Sequence, residues 1–98
     1  FSQSDIYQQC LSMEIHKEFP FYVEQNGERI TGTMDFLAIN DSNIILIDYK
    51  TDNAPETEIK QRYSPQLKTY MKALSIMYPN KEIKAYAYSF HHESFIQI

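Results

Sequence analysis

The sequence has one cysteine, no apolar run long enough to cross a membrane, and more acidic than basic residues. Each shortage excludes something. Cys10 alone cannot close an internal disulfide or join a multi-cysteine metal site, which fits a reducing compartment. With no spanning run and no visible signal peptide, no membrane partner is expected. Nine Lys and Arg against thirteen Asp and Glu leave a net charge of −4. A passive nucleic-acid binder draws its affinity from Lys and Arg neutralising phosphates, so this balance speaks against one. An enzyme whose bound divalent cations offset the acids remains compatible, as does a module handed DNA by a more basic neighbour. There is also no internal repeat, low-complexity tract or linker.

Ninety-eight residues are enough for one domain with a single modest core, so residues 1–98 are read as one unit. Eight Tyr and six Phe supply large surfaces to bury, which argues against disorder. The chain starts on Phe1 and ends on Ile98, and the expectation is a domain excised from something longer.

Residues 4–13 read as a short helix, with Ser4 or Asp5 as its cap and Ile6, Cys10 and Met13 near one face. In residues 14–25, Phe19, Phe21 and Val23 alternate with Glu18, Tyr22 and Glu24, a strand pattern. Pro20 lacks an N–H, which puts this strand at an edge or gives it a bulge. Asn26-Gly27 suits a tight hairpin turn, because both residues accept positive φ. Residues 28–39 run back as a second strand, and 43–50 follow a polar turn as a third. The aliphatic run Ile44-Ile45-Leu46-Ile47 suggests burial on both faces. Residues 51–63 are polar and read as loop, with a helical turn from Glu56. Ser64-Pro65 reads as a helix start, and Leu67, Tyr70, Met71, Leu74 and Met77 keep helical spacing to Tyr78. Residues 82–90 alternate as a fourth strand, and 93–98 form a fifth after a turn at His91-His92. The order is helix, three-strand meander, helix, one or two strands: an α/β mixed central sheet flanked by helices.

The chemistry gathers in Gly32–Lys50, where Asp35 and Asp48 lie thirteen residues apart and Lys50 follows two later. Side chains alternate across a strand, so Asp48 and Lys50 share a face and Tyr49 points to the other. If the second and third strands pair, Asp35 can join them there. Two carboxylates brought together repel unless one takes a proton or a cation sits between them. Such hard oxygen ligands suit Mg²⁺, which takes only one or two carboxylates from a protein. Lys50 can then orient or deprotonate a water, or stabilise charge on a phosphate. The plain alternative is a solvent-facing Asp–Lys pair with an unrelated Asp nearby. Against it stands the position of Asp48 directly after four aliphatics, where an unpaired charge is costly.

Gly32-Thr33-Met34-Asp35, then Ile47-Asp48-Tyr49-Lys50-Thr51-Asp52, then Tyr63 with Gln66-Leu67 and Tyr70, follow one another in order. Together with Glu18-Phe19-Pro20-Phe21 upstream, this series resembles the RecB-type nuclease domain of the PD-(D/E)XK superfamily. The likeness is greatest to the C-terminal nuclease of AddA-type helicase–nuclease subunits, and it spans roughly residues 1–90. It implies a restriction-endonuclease-like fold and a metal-dependent DNA nuclease, the exonuclease domain of a bacterial helicase–nuclease that repairs double-strand breaks. It further implies Asp35, Asp48 and the Tyr49 backbone carbonyl as metal ligands, and Lys50 as the catalytic lysine. Tyr63, Gln66 and Tyr70 would contact DNA or support the site. The expected cofactor is Mg²⁺, with Mn²⁺ able to substitute. The expected partners are DNA ends or unwound single strands, the helicase part of the same chain and a partner subunit, in the bacterial cytoplasm.

The sequence departs from the family's pattern at one point. Complete members carry a metal-binding histidine on an earlier helix, and no residue before Asp35 matches it. His16 sits in a strand and reads as a surface residue, so the ligand is expected upstream of Phe1. The branch with an iron–sulfur staple needs four cysteines, which excludes that cluster for this stretch. A non-catalytic DNA-binding or docking domain of the same fold, and an unrelated small interaction domain, are the competing readings. His91-His92 suggests a metal pair but reads better as a turn, because neighbours on a strand face opposite ways. The Tyr86, Tyr88, Phe90 face could stack bases but reads as packing, and Cys10 reads as a small core residue.

Overall fold

The computed structural model describes the backbone of residues 3–98 and the side chains from residue 5 onward. Its elements, in chain order, are α1 (Gln3–Leu11), β1 (Glu14–Gln25), β2 (Glu28–Ile39), β3 (Asn43–Lys50), α2 (Glu56–Met77), β4 (Glu82–Ser89) and β5 (Ser94–Gln97). The strands form one sheet in the order β1-β2-β3-β4-β5. All neighbours are antiparallel except β3 and β4, which run parallel. Parallel neighbours need a crossover, and α2 supplies it. The mixed sheet flanked by helices is therefore present.

Strand alternation sorts the core into two layers. On one face Ile44, Leu46, Ala85, Ala87 and Met34 pack with Ile59, Leu67 and Leu74 of α2. On the other, Ile45, Ile47, Phe36, Ala38 and Tyr86 pack with Ile6 and Cys10 of α1. β3 is thus covered on both sides, as its unbroken aliphatic run implies. Asn26 and Gly27 adopt φ of 53° and 80° and close the β1–β2 hairpin between Gln25 and Glu28. Pro20 lies in β1, which is an edge strand of the sheet.

Two boundaries differ from the sequence reading. α1 starts at Gln3 and ends at Leu11, with Met13 N–H turning back to Cys10 O at 3.0 Å. Asp5 therefore lies in the first turn instead of capping it, while the side chain of Ser4 lies outside the described residues. The larger correction concerns α2. It begins at Glu56 and runs through Ser64 and Pro65, so Pro65 sits inside a helix and does not open one. Pro55 occupies the N-cap position, its carbonyl accepting N–H groups from Glu58 and Ile59 at 3.0 Å. Glu56 and Glu58 complement the positive end of the helix. Fully buried Ile59 anchors this first stretch to the sheet. The Ser64 hydroxyl does not cap; it bonds the Lys60 carbonyl one turn back, at 2.5 Å. Tertiary packing thus outweighs the local proline signal.

The remaining turns follow from short polar side chains. Asn40 Oδ1 accepts the N–H groups of Ser42 and Asn43 at 2.9 and 2.7 Å. The predicted turn at His91-His92 is present. His92 Nε2 meets Ala54 O at 2.7 Å and its N–H donates to Ser89 Oγ at 3.0 Å, tying the β4–β5 turn to the approach of α2.

Candidate active site

The site begins where the β2–β3 ladder stops. Phe36↔Ile47 is the last pair, although the register would next set Asp35 opposite Asp48. On the other side of β2 the ladder also skips one step: Lys17↔Phe36 and Phe19↔Met34 are paired, while Glu18 and Asp35 between them are not. Glu18 takes a φ of 51° there, in the left-handed region. Across this break β2 changes parity, so that Met34 and Leu37, three residues apart, both enter the α2-side core. Strict alternation from Met34 would turn Asp35 to the opposite face. The break instead leaves its carboxylate at the open end of the ladder, where Oδ2 accepts the Tyr49 N–H at 3.0 Å and the carboxyl contacts Asp48.

Asp48 is a buried acid, 6% exposed. Burial, and then the Asp35 carboxyl beside it, push its pKa above the usual carboxylate range, while Lys50 pulls it back only in part. Its Oδ2 lies 2.6 Å from Lys50 Nζ as an ion pair, yet without the angles of a hydrogen bond, and it has no other protein partner. Lys50 Nζ also donates to Gln66 Oε1 at 3.2 Å and stands 4.1 Å from the centroid of the Tyr63 ring. Gln66 Nε2 in turn approaches Tyr70 OH at 3.5 Å, and Tyr70 packs edge-on against Phe21, with ring centroids 5.2 Å apart. Asp35, Asp48, Lys50, Tyr63, Gln66 and Tyr70 therefore form one connected cluster, drawn from β2, β3 and α2. Tyr49 joins it through its backbone, while its ring lies with Cys10, Phe36 and Ile47 of the α1-side layer.

Three residues that the sequence reading left without a role belong to this geometry. A Cβ at Gly32 would meet Tyr70 OH at 2.9 Å, so only glycine lets the tyrosine lie against β2. Glu18 stands at the pairing break that frees Asp35. Asp52 accepts the Ala54 N–H at 2.9 Å and the Tyr63 hydroxyl at 3.1 Å, and also pairs with Arg62. These interactions, the Ala54 N–H first, hold its carboxyl below the usual range. All three lay inside the quoted motifs, but pattern alone does not reveal what a residue touches.

Several tempting residues take the plain role. His16 pairs with Glu14 at 2.9 Å and rests edge-on against Phe19. Tyr86, Tyr88, Phe90 and Phe95 pack on one another, and Cys10 is fully buried, with burial raising its thiol pKa. Among the described residues, no group of three or more His, Cys, Asp and Glu side chains could hold a metal ion, and no helix is long and apolar enough to cross a membrane. The carboxylate pair still fits a divalent cation in chemistry: two acids in contact, one buried with an oxygen that lacks a hydrogen bond, are stabilised by a positive charge between them.

Two acids and a lysine at the open end of a β-ladder, with a glutamine and tyrosines reaching in from the crossover helix, define a nuclease-type centre on an α/β sheet. The family model of the PD-(D/E)XK nuclease superfamily matches residues 3–96, and the chain belongs to that superfamily. Among curated proteins it is similar to the A subunit of the ATP-dependent helicase/nuclease from Clostridium botulinum, at 38% identity over 89% of this chain. It is also similar to the proteins of that name from Anoxybacillus flavithermus, at 33% over 78%, and Lactiplantibacillus plantarum, at 32% over the whole chain. The matched stretch covers only 7 to 9% of those relatives' length.

Proposed function

We propose that this chain is the nuclease domain of a helicase–nuclease, residues 1–98 forming one catalytic unit that hydrolyses DNA phosphodiester bonds with a divalent cation. The observation that carries the reading is the buried Asp48 Oδ2, set between the Asp35 carboxyl and the Lys50 ammonium without a hydrogen bond of its own. Asp35, Asp48 and the Tyr49 carbonyl would hold the cation, Mg²⁺ with Mn²⁺ as a substitute. When bound, that ion polarises the phosphate and lowers the pKa of a coordinated water. Asp48 and Gln66 hold the Lys50 ammonium at the site's mouth, where it can orient the attacking water and stabilise charge on the phosphate. Gln66 is exposed and can reach the DNA backbone, while Tyr70 supports it from below. By analogy with the names of its relatives, the substrate is linear DNA presented by a helicase portion and a partner subunit, in a bacterial cytoplasm.

The test is cleavage of linear DNA by the intact protein, with and without Mg²⁺, beside Asp48→Ala and Lys50→Ala. Each variant is expected to lose more than about 100-fold in rate. Undiminished cleavage by Asp48→Ala would sink the proposal. No Mn²⁺ or Mg²⁺ binding by calorimetry would favour a non-catalytic docking domain of the same fold.

A further inference from the structure

Lys50 must be held still to act, and its stem makes that difficult. Four carbons and a compact ammonium leave many rotamers, and a misplacement of about 1 Å at a reacting centre can cost on the order of 100-fold in rate. Its ammonium has three neighbours: Asp48 Oδ2 at 2.6 Å, Gln66 Oε1 at 3.2 Å and the Tyr63 ring at 4.1 Å. Asp48 is shared with a cation in the working enzyme, and Gln66 is exposed on the helix surface. The Tyr63 ring is the neighbour fixed from behind. Its hydroxyl donates to Asp52 Oδ2 at 3.1 Å, and Asp52 is itself held by the Ala54 N–H at 2.9 Å and by Arg62. Arg62 is anchored in turn to Glu58 at 2.8 Å. The Asp52 side chain is 15% exposed, so water covers little of this clamp.

We propose that Asp52 is a positioning residue of the nuclease centre: it fixes Tyr63 through the phenol hydroxyl, and the ring face fixes the Lys50 ammonium beside Asp48. This rests on the reading of Lys50 as the catalytic lysine. Asp52 touches neither substrate nor cation and acts only through Tyr63. The tyrosine is thereby a platform for the lysine rather than a DNA contact.

The experiment is a double-mutant cycle on the intact protein, with linear DNA and saturating Mg²⁺. Asp52→Asn keeps an oxygen for the Ala54 N–H but turns an amide donor toward Tyr63 and Arg62. Tyr63→Phe keeps the ring and removes the hydroxyl. Each is expected to lower kcat about 10-fold while KM for DNA stays within about twofold. The double variant should be no worse than the more severe single, because both break one link. Tyr63→Leu, which also removes the ring, should lose about a further 10-fold. Losses that multiply, or a change confined to KM, would overturn the inference. A crystal structure of the Asp52→Asn protein supplies a readout independent of cleavage. Lys50 Nζ displaced from the ring supports the clamp even if the wild type cuts no DNA, a result that would sink only the nuclease reading. Lys50 unmoved over Tyr63 would overturn the clamp.

Discussion

Gly32→Ala tests how tightly the helix side of the site is fitted to β2. Gly32 is a strand residue without positive φ, so alanine is compatible with its backbone. By itself the change stabilises by about 0.4–1 kcal/mol, because the unfolded chain loses freedom. Against this stand three contacts of the new Cβ: Tyr70 OH at 2.9 Å, Phe21 Cε1 at 3.2 Å and Tyr70 Cζ at 3.3 Å. Tyr70 cannot simply swing aside, since its ring lies edge-on against Phe21 and its hydroxyl meets Gln66. Overpacking of this kind costs about 1–3 kcal/mol, so the net loss is about 1–2 kcal/mol. In a domain of this size that lowers Tm by roughly 5–15 °C. Cleavage should also fall, because Gln66 moves with Tyr70 and Lys50 bonds to Gln66. Adding Tyr70→Phe removes the closest contact and should recover most of the lost Tm. The measurement is thermal unfolding of the four proteins in the cycle. A Gly32→Ala protein as stable as the wild type, or no recovery on adding Tyr70→Phe, would refute the fit.

Two further outcomes are expected. The fold favours the neutral form of Asp48, so the stability this group contributes is complete below the ordinary carboxylate range and lost as pH rises through its raised pKa. Asp48→Asn should remove that dependence: without added metal, its Tm relative to wild type should rise between about pH 4 and pH 7, while cleavage is lost. Parallel Tm profiles for the two proteins would refute the argument. Pro65→Ala should raise stability by about 1–3 kcal/mol, because Gln61 regains an intrahelical N–H donor and the ring no longer crowds its carbonyl. A lower Tm from calorimetry would mean that the proline's bend is needed by the packing.

Most of the strand layout was legible because its signals are local. Alternation marks β1, β2 and β4, the aliphatic run marks β3 as a two-sided strand, and Asn26-Gly27 accepts the φ values its hairpin requires. The start of α2 was not legible. Between Lys50 and Tyr63 only Ile59 is buried, and a helix held by one apolar anchor and the Asp52–Arg62 pair carries no periodic stripe to read. Ser64-Pro65 then supplied a stronger, misleading start signal.

For the site, sequence alone determined the inventory: two acids on neighbouring strands, Lys50 on the face of Asp48, and a glutamine and tyrosines on the next helix. Strand alternation and helical spacing are short-range, so a reader of the chain can apply them residue by residue. Only the tertiary structure decided that the acids meet. That outcome depends on the skipped pair at Glu18 and Asp35 and on the β2–β3 ladder ending at Phe36, which are properties of strands in contact. It also depends on Gly32 admitting Tyr70, and on Asp52 reaching eleven residues along the chain to Tyr63. Each of these is a distance between residues that the chain keeps apart and the sheet brings together.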